Sequence, residues 1–354
     1  MSERLPLPTD VPAATIDGEP ADVESALARA TELLRGARRP LLDGFQNATV
    51  EDARAAVALA DRLGALLTTR SLTEPWPGAP AVPLRGASTA TLGEIRDRSR
   101  VVVVWREDPE TTHPRLLGRL GFGSGARSER TLAVIDDRDT ATTARADLRL
   151  AWPRDRDLEA LTGLHVLQRG RALRSGDLVA ELTSLIDRLG AVPHAAFVYG
   201  PGLTADAGGE RRALALHELV RALCHDRHVV TLELLRAPGT RGADDVLAWQ
   251  SGYSGNVDFA GGHPELVAAT QPLEDVDVTL LVESPTAGAA EIALASLPAG
   301  PDVEVWIRTA AAGVSAGGTA HRLDGVPLTL QAPRPGDAPT AAALLKRLLS
   351  EFDT

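Results

Sequence analysis

From Asp22 the chain reads DVESALARATELLRGA, with apolar residues three and four apart, the spacing of an amphipathic helix. Residues 1 to about 22 are polar and proline-punctuated and predict an extended arm. After the first helix the period alternates. RRPLLDGF reads as a short strand, VEDARAAVALADRLGA as a helix with two carboxylates in its first turn, and ALLTT as a strand. TLGEIRDR predicts a short helix, and SRVVVVW a strand so apolar that both faces must be buried. HPRLLGRLG predicts a helix and RTLAVID a further strand. Alternation of this kind predicts an α/β fold with a mainly parallel sheet and helices on both faces.

The same order then recurs. Two helical stretches, LEALTGLHVLQRG and GDLVAELTSLIDRLG, are followed by HAAFVYGPGL, which answers RRPLLDGFQN. GGERRALALHELVRALC answers the helix VEDARAAVALADRLGA, and HVVTLELL answers ALLTT. VDVTLLVESPTAGAAEIALASLP answers SRVVVVWREDPETTHPRLLGRLG, and PDVEVWI answers RTLAVID. The pattern predicts an arm and helix over 1–35 and two related Rossmann-like halves over 36–150 and 192–330. A helical connection over 151–191 joins them, and a C-terminal helix lies within 331–354. The stretch 236–264 is glycine-rich and predicts a long loop.

Composition narrows the function. With 44% hydrophobic and 24% charged residues the chain is globular, and a net charge of -11 argues against a nucleic-acid partner. The opening stretch has no basic-then-apolar signal, and no apolar run approaches the ~20 residues of a membrane span. These features lead us to expect a cytoplasmic chain. Cys224 is the single cysteine, so the chain by itself holds no intramolecular disulfide, Cys-rich zinc site or iron–sulfur cluster. Cys224 sits in a helical pattern and is expected to be a small buried hydrophobe.

In parallel sheets ligands gather at the carboxyl ends of strands. Four loops hold that place: Asp43–Ala48, Trp105–Pro114, Gly200–Gly209 and Glu283–Gly288. Gly200 and Gly202 in GPGL offer backbone N–H groups to a phosphate, although a plain tight turn is the simpler reading, since neither GxGxxG nor a Walker lysine is present. Glu107, Asp108, Glu110 and His113 form a metal-type set that reads more simply as a solvated acidic loop. His225 and His228 lie three apart but straddle a helix-to-strand junction. No GxSxG spacing supports acyl transfer. Two stretches remain to be explained: Arg241–Pro264, with Trp249 and Tyr253, and GTAHRLDGVPL at Gly318–Leu328.

Those stretches carry a resemblance. GGTAHRLDGVPL is similar to a G-T-A-x-R-x-D-G-V-P string near the C-terminus of the B subunit of formylmethanofuran dehydrogenase, and DDVLAWQSGYSGNVDF resembles that family's V-L-x-W-x-x-G-Y…V-D-F segment. The buried strand leading into Asp108–Pro109 and His113–Pro114–Arg115 resembles a third. The matches occur in the family's order over about residues 30 to 350. The resemblance implies a molybdopterin-oxidoreductase fold of two related α/β domains around a bis-pterin tungsten or molybdenum cofactor.

The chain departs from that pattern where redox chemistry would reside. It begins without the four-cysteine cluster domain, and Leu67–Trp76, where the family's metal ligand would fall, has no cysteine. A non-redox branch fits these losses. In bacterial formyltransferase/hydrolase complexes a related B subunit is joined by an amidohydrolase-like A subunit, a formyltransferase subunit, and a C subunit. Such a complex moves formyl from tetrahydromethanopterin to a methanofuran-type coenzyme and hydrolyses it to formate. The resemblance implies a non-catalytic scaffold with no cofactor or metal of its own and a vestigial molybdopterin cleft at Gly200, Gly202, Arg236, Arg241, Trp249, His321, Arg322 and Asp324. Arg322 and Asp324 are expected to pair internally or to touch a neighbouring protein of the complex. An arginine surface of Arg236, Arg241 and Arg322 would hold part of an acidic coenzyme. The alternative is a dehydrogenase B subunit that retains a tungsten or molybdenum pterin.

Overall fold

In a computed structural model the chain is described over residues 11–69, 81–123, 130–174, 176–267, 275–284, 290–300 and 302–353. Its strands are β1 (Ala14–Ile16), β2 (Glu19–Ala21), β3 (Pro40–Gly44), β4 (Leu66–Thr68), β5 (Val101–Trp105), β6 (Thr131–Ile135), β7 (Leu148–Leu150), β8 (His194–Tyr199) and β9 (His228–Glu233). They continue as β10 (Asn256–Asp258), β11 (Glu265–Leu266), β12 (Val278–Val282), β13 (Ile292–Ala295), β14 (Val305–Arg308), β15 (Gly318–His321) and β16 (Pro327–Leu330).

One sheet has the order β11-β10-β4-β3-β12-β13-β14-β1-β2, and a second has the order β7-β6-β5-β8-β9. The second is parallel throughout. The first has five parallel strands, β4 to β14, flanked by antiparallel edges. The expected α/β class with mainly parallel sheets is therefore what the chain forms.

The strands do not divide between the sheets at the expected boundaries of 150 and 192. The chain leaves the first sheet after β4, builds the whole second sheet with β5 to β9, and returns at β10. Three of the corresponding strands keep their order in space, because β4-β3-β12 in one sheet occupies the order of β9-β8-β5 in the other. RTLAVID and PDVEVWI do not correspond: β6 adjoins β5, whereas β13 rather than β14 adjoins β12. Each half of the repeat exchanges strands with its counterpart. A pattern along one chain cannot reveal this, since hydrophobic period does not specify which strand is the neighbour.

Three local expectations also change. Residues 14–21 of the predicted arm are an edge hairpin, whose turn places Asp17 and Gly18 at φ 51 and 80. An Asp-Gly turn of this kind is a hairpin signal in its own right. The predicted loop 236–264 contains a three-turn helix, Thr240–Ser251, closed by Gly252 at φ 87. Its buried Ala243, Val246 and Leu247 join the same core as the Val50–Leu63 helix, and their spacing of three and four is a helix signal. In the predicted helix at His113–Gly121, the chain instead forms an irregular π turn at Gly118–Phe122, broken by Gly121 at φ 87.

Side chains alternate across the first sheet. Leu280, Val282, Leu294 and Ile307 face the helices Val23–Gly36, Val50–Leu63, Thr240–Ser251 and Ala341–Ser350, while Leu281, Ala293 and Trp306 build a smaller core on the other face. The second sheet has cores on both faces, one around Trp105, Trp152 and Phe197 and one around Ile95, Leu117 and Phe122. The Val50–Leu63 helix begins in a capping box between Thr49 and Asp52 and ends at Gly64 in the left-handed region.

Candidate functional site

In an open parallel sheet a ligand crevice opens at the carboxyl ends of the two neighbouring strands from which the connections diverge. The strand orders place one crevice between β5 and β8 and another between β3 and β12. Each is built with non-glycine residues at positive φ just past the strand: Arg106 (φ 55) at the first, Phe45 (φ 71) and Glu283 (φ 50) at the second. Such backbone is strained for a side chain and clusters where structure serves a specific purpose.

At the β5–β8 crevice the Gly200–Gly202 turn opens a four-residue helix, Pro201–Thr204. The Gly202 N–H donates to Glu107 Oε1 at 2.6 Å, and Arg236 Nη2 donates to Glu107 Oε2 at 3.1 Å. Glu107 is 1% exposed. Burial pushes its carboxyl above the usual range, partly offset by the Gly202 N–H, Arg236 and Arg138. The solvated acidic loop expected here does not form, since Glu107 is buried, and the other members of the metal-type set are engaged separately. Asp108 accepts from Thr111 and Thr142, Glu110 pairs with Arg145, and His113 Nε2 meets the Leu235 carbonyl. Among the described residues no group of three or more His, Cys, Asp or Glu side chains is placed to hold a metal ion.

At the β3–β12 crevice the Phe45 N–H donates to the Val282 carbonyl at 2.6 Å and the Asn47 N–H to the Glu283 carbonyl at 3.0 Å. The Glu283 side chain is buried and accepts from the Thr309 hydroxyl. Burial pushes its carboxyl up to about 7, against the Thr309 hydrogen bond and with the help of Asp52. The sequence marks Glu283 only as the start of a loop, of which residues 285–288 lie outside the described residues. Its signal there, a carboxylate directly after an apolar strand, is shared by Glu107 one residue later.

GTAHRLDGVPL forms the hairpin β15–β16, which spans the two sheets as a strap. At one end Glu51, in the first turn of the Val50–Leu63 helix, accepts from Thr319 N at 2.9 Å and Thr319 Oγ1 at 2.8 Å. At the turn Arg322 donates twice to Asp324, 2.6 Å for each bond, and Asp324 Oδ2 accepts the Leu92 N–H at 2.7 Å. Leu92 opens the helix Leu92–Arg98 beside the second sheet. Burial raises the Asp324 carboxyl, but the Arg322 pair and the Leu92 N–H outweigh it and hold it below the usual carboxylate range. The expected internal pair of Arg322 and Asp324 is present. Asp324→Ala is expected to cost about 1–3 kcal/mol, because a buried N–H and a guanidinium lose their acceptor. Urea denaturation measures this, and an unchanged midpoint would show that the latch contributes nothing.

His321 Nδ1 lies 2.6 Å from Asp245 Oδ2, which also accepts from Arg241 Nε at 3.1 Å. Trp249, 55% exposed, leans on the His321 ring with centroids 6.0 Å apart. The structure thus gathers Arg241, Trp249, His321, Arg322 and Asp324 around the strap, and sets Gly200, Gly202 and Arg236 at the β5–β8 crevice.

Comparison with known proteins places this geometry. No family model matches the chain. The B subunit of the tungsten-containing formylmethanofuran dehydrogenase 2 of Methanocaldococcus jannaschii is 27% identical over 345 residues, 89% of this chain and 79% of that one. The B subunit of the formyltransferase/hydrolase complex Fhc from Methylorubrum extorquens is 29% identical over 258 residues, 72% of this chain and 68% of that one. A chain in the crystal structure of that organism's complex, FhcABCD with methylofuran, superposes with a TM-score of 0.78 at 26% identity, covering 96% of this chain and 98% of that one. The chain is a homologue of these B subunits.

As a B-subunit homologue it can be tested against a bis-pterin metal cofactor, and the described residues do not fit one. The Gly202 amide is taken by Glu107, and Arg236, Arg241 and Arg322 are each paired with the chain's own carboxylates. Buried carboxyl groups stand in both crevices, where the phosphates of a pterin need cations. Cys224 caps the Gly209–Leu223 helix, and its Sγ lies 3.1 Å from the Val229 carbonyl, at the amino end of β9 and away from the crevices. It is half-buried rather than fully so. Of the stretch Leu67–Trp76, residues 70–76 lie outside the described residues. Of the pair His225 and His228, His228 stacks on His194, with ring centroids 6.2 Å apart. No described helix is long and apolar enough to cross a membrane.

Proposed function

We propose that this chain is the B subunit of a formyltransferase/hydrolase complex. The complex would transfer formyl from tetrahydromethanopterin to a methanofuran-type coenzyme and hydrolyse the product to formate in one-carbon metabolism. The observation that carries the reading is the near end-to-end superposition on a chain of the methylofuran-bound FhcABCD complex. Its partners would be an amidohydrolase-like A subunit, a formyltransferase subunit, and a C subunit, and its place the cytoplasm. The chain itself would be a scaffold without a cofactor, a reading supported by the buried Glu107 and Glu283 carboxyls, which stand where an acidic coenzyme would need cations.

The cleft residues would then serve assembly. Trp249 is an exposed aromatic of the kind that anchors interfaces, and no residue of β15 or β16 is buried. The second reading, a dehydrogenase B subunit retaining a tungsten or molybdenum pterin, draws on the archaeal relatives.

One experiment separates the two. The tagged chain, purified from its native cells, is expected to bring down a formyltransferase and an amidohydrolase-like protein in fixed ratio, with tungsten and molybdenum well below one atom per chain. Recovery of cluster-bearing redox proteins with stoichiometric metal would replace the first reading with the second.

A further inference from the structure

The crevice between β5 and β8 is not open. Arg106, turned to φ 55, redirects the chain so that the next side chain enters the crevice. There the Glu107 carboxylate meets the Gly202 N–H at 2.6 Å on one oxygen and Arg236 Nη2 at 3.1 Å on the other. Arg138 adds positive charge while holding its own pair with Asp136. Both glycines of the turn are required by this fit. A Cβ on Gly202 would lie 1.7 Å from the Arg106 carbonyl, and one on Gly200 would lie 2.8 Å from Glu107 Oε1. A backbone N–H on one side and a guanidinium on the other form the donor arrangement that recognises a carboxylate.

We propose that Glu107 is a built-in ligand: its carboxylate fills a small-carboxylate seat at the switch point of the five-stranded sheet and closes that crevice to external anions. The ligand class follows from what the side chain leaves behind. Beyond its Cβ, glutamate is the skeleton of acetate, so Glu107→Ala removes an acetate-shaped group and leaves its donors in place. The two donors of the seat, the Gly202 N–H and Arg236, both belong to this chain.

The test is rescue by the missing group on the full-length chain. Glu107→Ala is expected to gain about 1–2 °C in thermal midpoint in about 100 mM sodium acetate over equal sodium chloride, while the native chain gains none. Glu107→Ala combined with Arg236→Ala should lose that acetate-specific gain. Glu107→Gln, which refills the seat without charge, should show none. An equal acetate effect on the native chain, or none on a folded Glu107→Ala, would overturn the proposal. If Glu107→Ala is recovered only unfolded, refolding in acetate against chloride reads the same property: native protein in acetate alone supports the seat, and equal failure in both rejects it.

Discussion

Replacing Asp157 by alanine is expected to lower the stability of the chain by about 3–5 kcal/mol, the cost of leaving a buried cation without its main partner. Asp157 is fully buried at the start of the Asp157–Gln168 helix, where a negative charge also suits the helix dipole. Its Oδ2 accepts from Arg106 Nε at 2.9 Å, and its Oδ1 accepts from Arg106 Nη2 at 3.0 Å, Trp105 Nε1 at 3.1 Å and Trp152 Nε1 at 2.9 Å. One carboxylate therefore satisfies two indoles and a guanidinium that is 2% exposed. Asp137 at 2.7 Å and the Trp152 carbonyl at 2.7 Å remain for Arg106, but both indole donors would be orphaned. Urea denaturation followed by tryptophan fluorescence reads the loss directly, since Trp105 and Trp152 line the site. Asp157→Asn, which keeps the shape and loses the charge, should fall between the two. A loss under about 1 kcal/mol for alanine would mean that the network is dispensable.

The second large effect is a pH dependence set by Glu283. Its carboxyl is held up to about 7 in the folded chain, first by burial, against an ordinary value of 4.5. Below that ordinary value both states carry the proton. Between the two values only the folded state keeps it, so stability falls as pH rises, and above about 7 the whole contribution is lost. That contribution is about 3 kcal/mol. Glu283→Gln stays neutral at every pH and keeps an acceptor for Thr309. The variant is therefore expected to match the native chain near pH 5 and to exceed it by about 2–3 kcal/mol at pH 8. Asp52, also raised by burial, contributes the same sign in both proteins. Parallel pH profiles for variant and native chain would assign the dependence elsewhere.

Parts of the candidate site are legible in the amino-acid order. Arg322 and Asp324 are two residues apart at a glycine turn, so their pairing is a local matter. The tight turn at Gly200–Gly202 is equally legible, but its occupant is not. Glu107 lies 95 residues away, and only the adjacency of β5 and β8 brings it there. His321 and Asp245 are 76 residues apart, and Arg236 and Glu107 are 129. The arginine surface expected from Arg236, Arg241 and Arg322 is spent on internal pairs, two of them local in sequence, with Asp245 and Asp324, and one, Arg236 with Glu107, made only by the fold.

By itself the sequence determined most of the strands and helices, the α/β class, the recurrence of three strands in matching order and the lack of thiolates for a cluster. These follow from period, capping and residue counts, which are local or additive properties of the chain. Tertiary structure alone decided that the repeats exchange strands, that the GTAHRLDGVPL hairpin straps one sheet to the other, and that both crevices carry a buried carboxyl. Strand neighbours and the burial of a charge depend on contacts across many residues, where the balance of desolvation against hydrogen bonding is set by three-dimensional proximity.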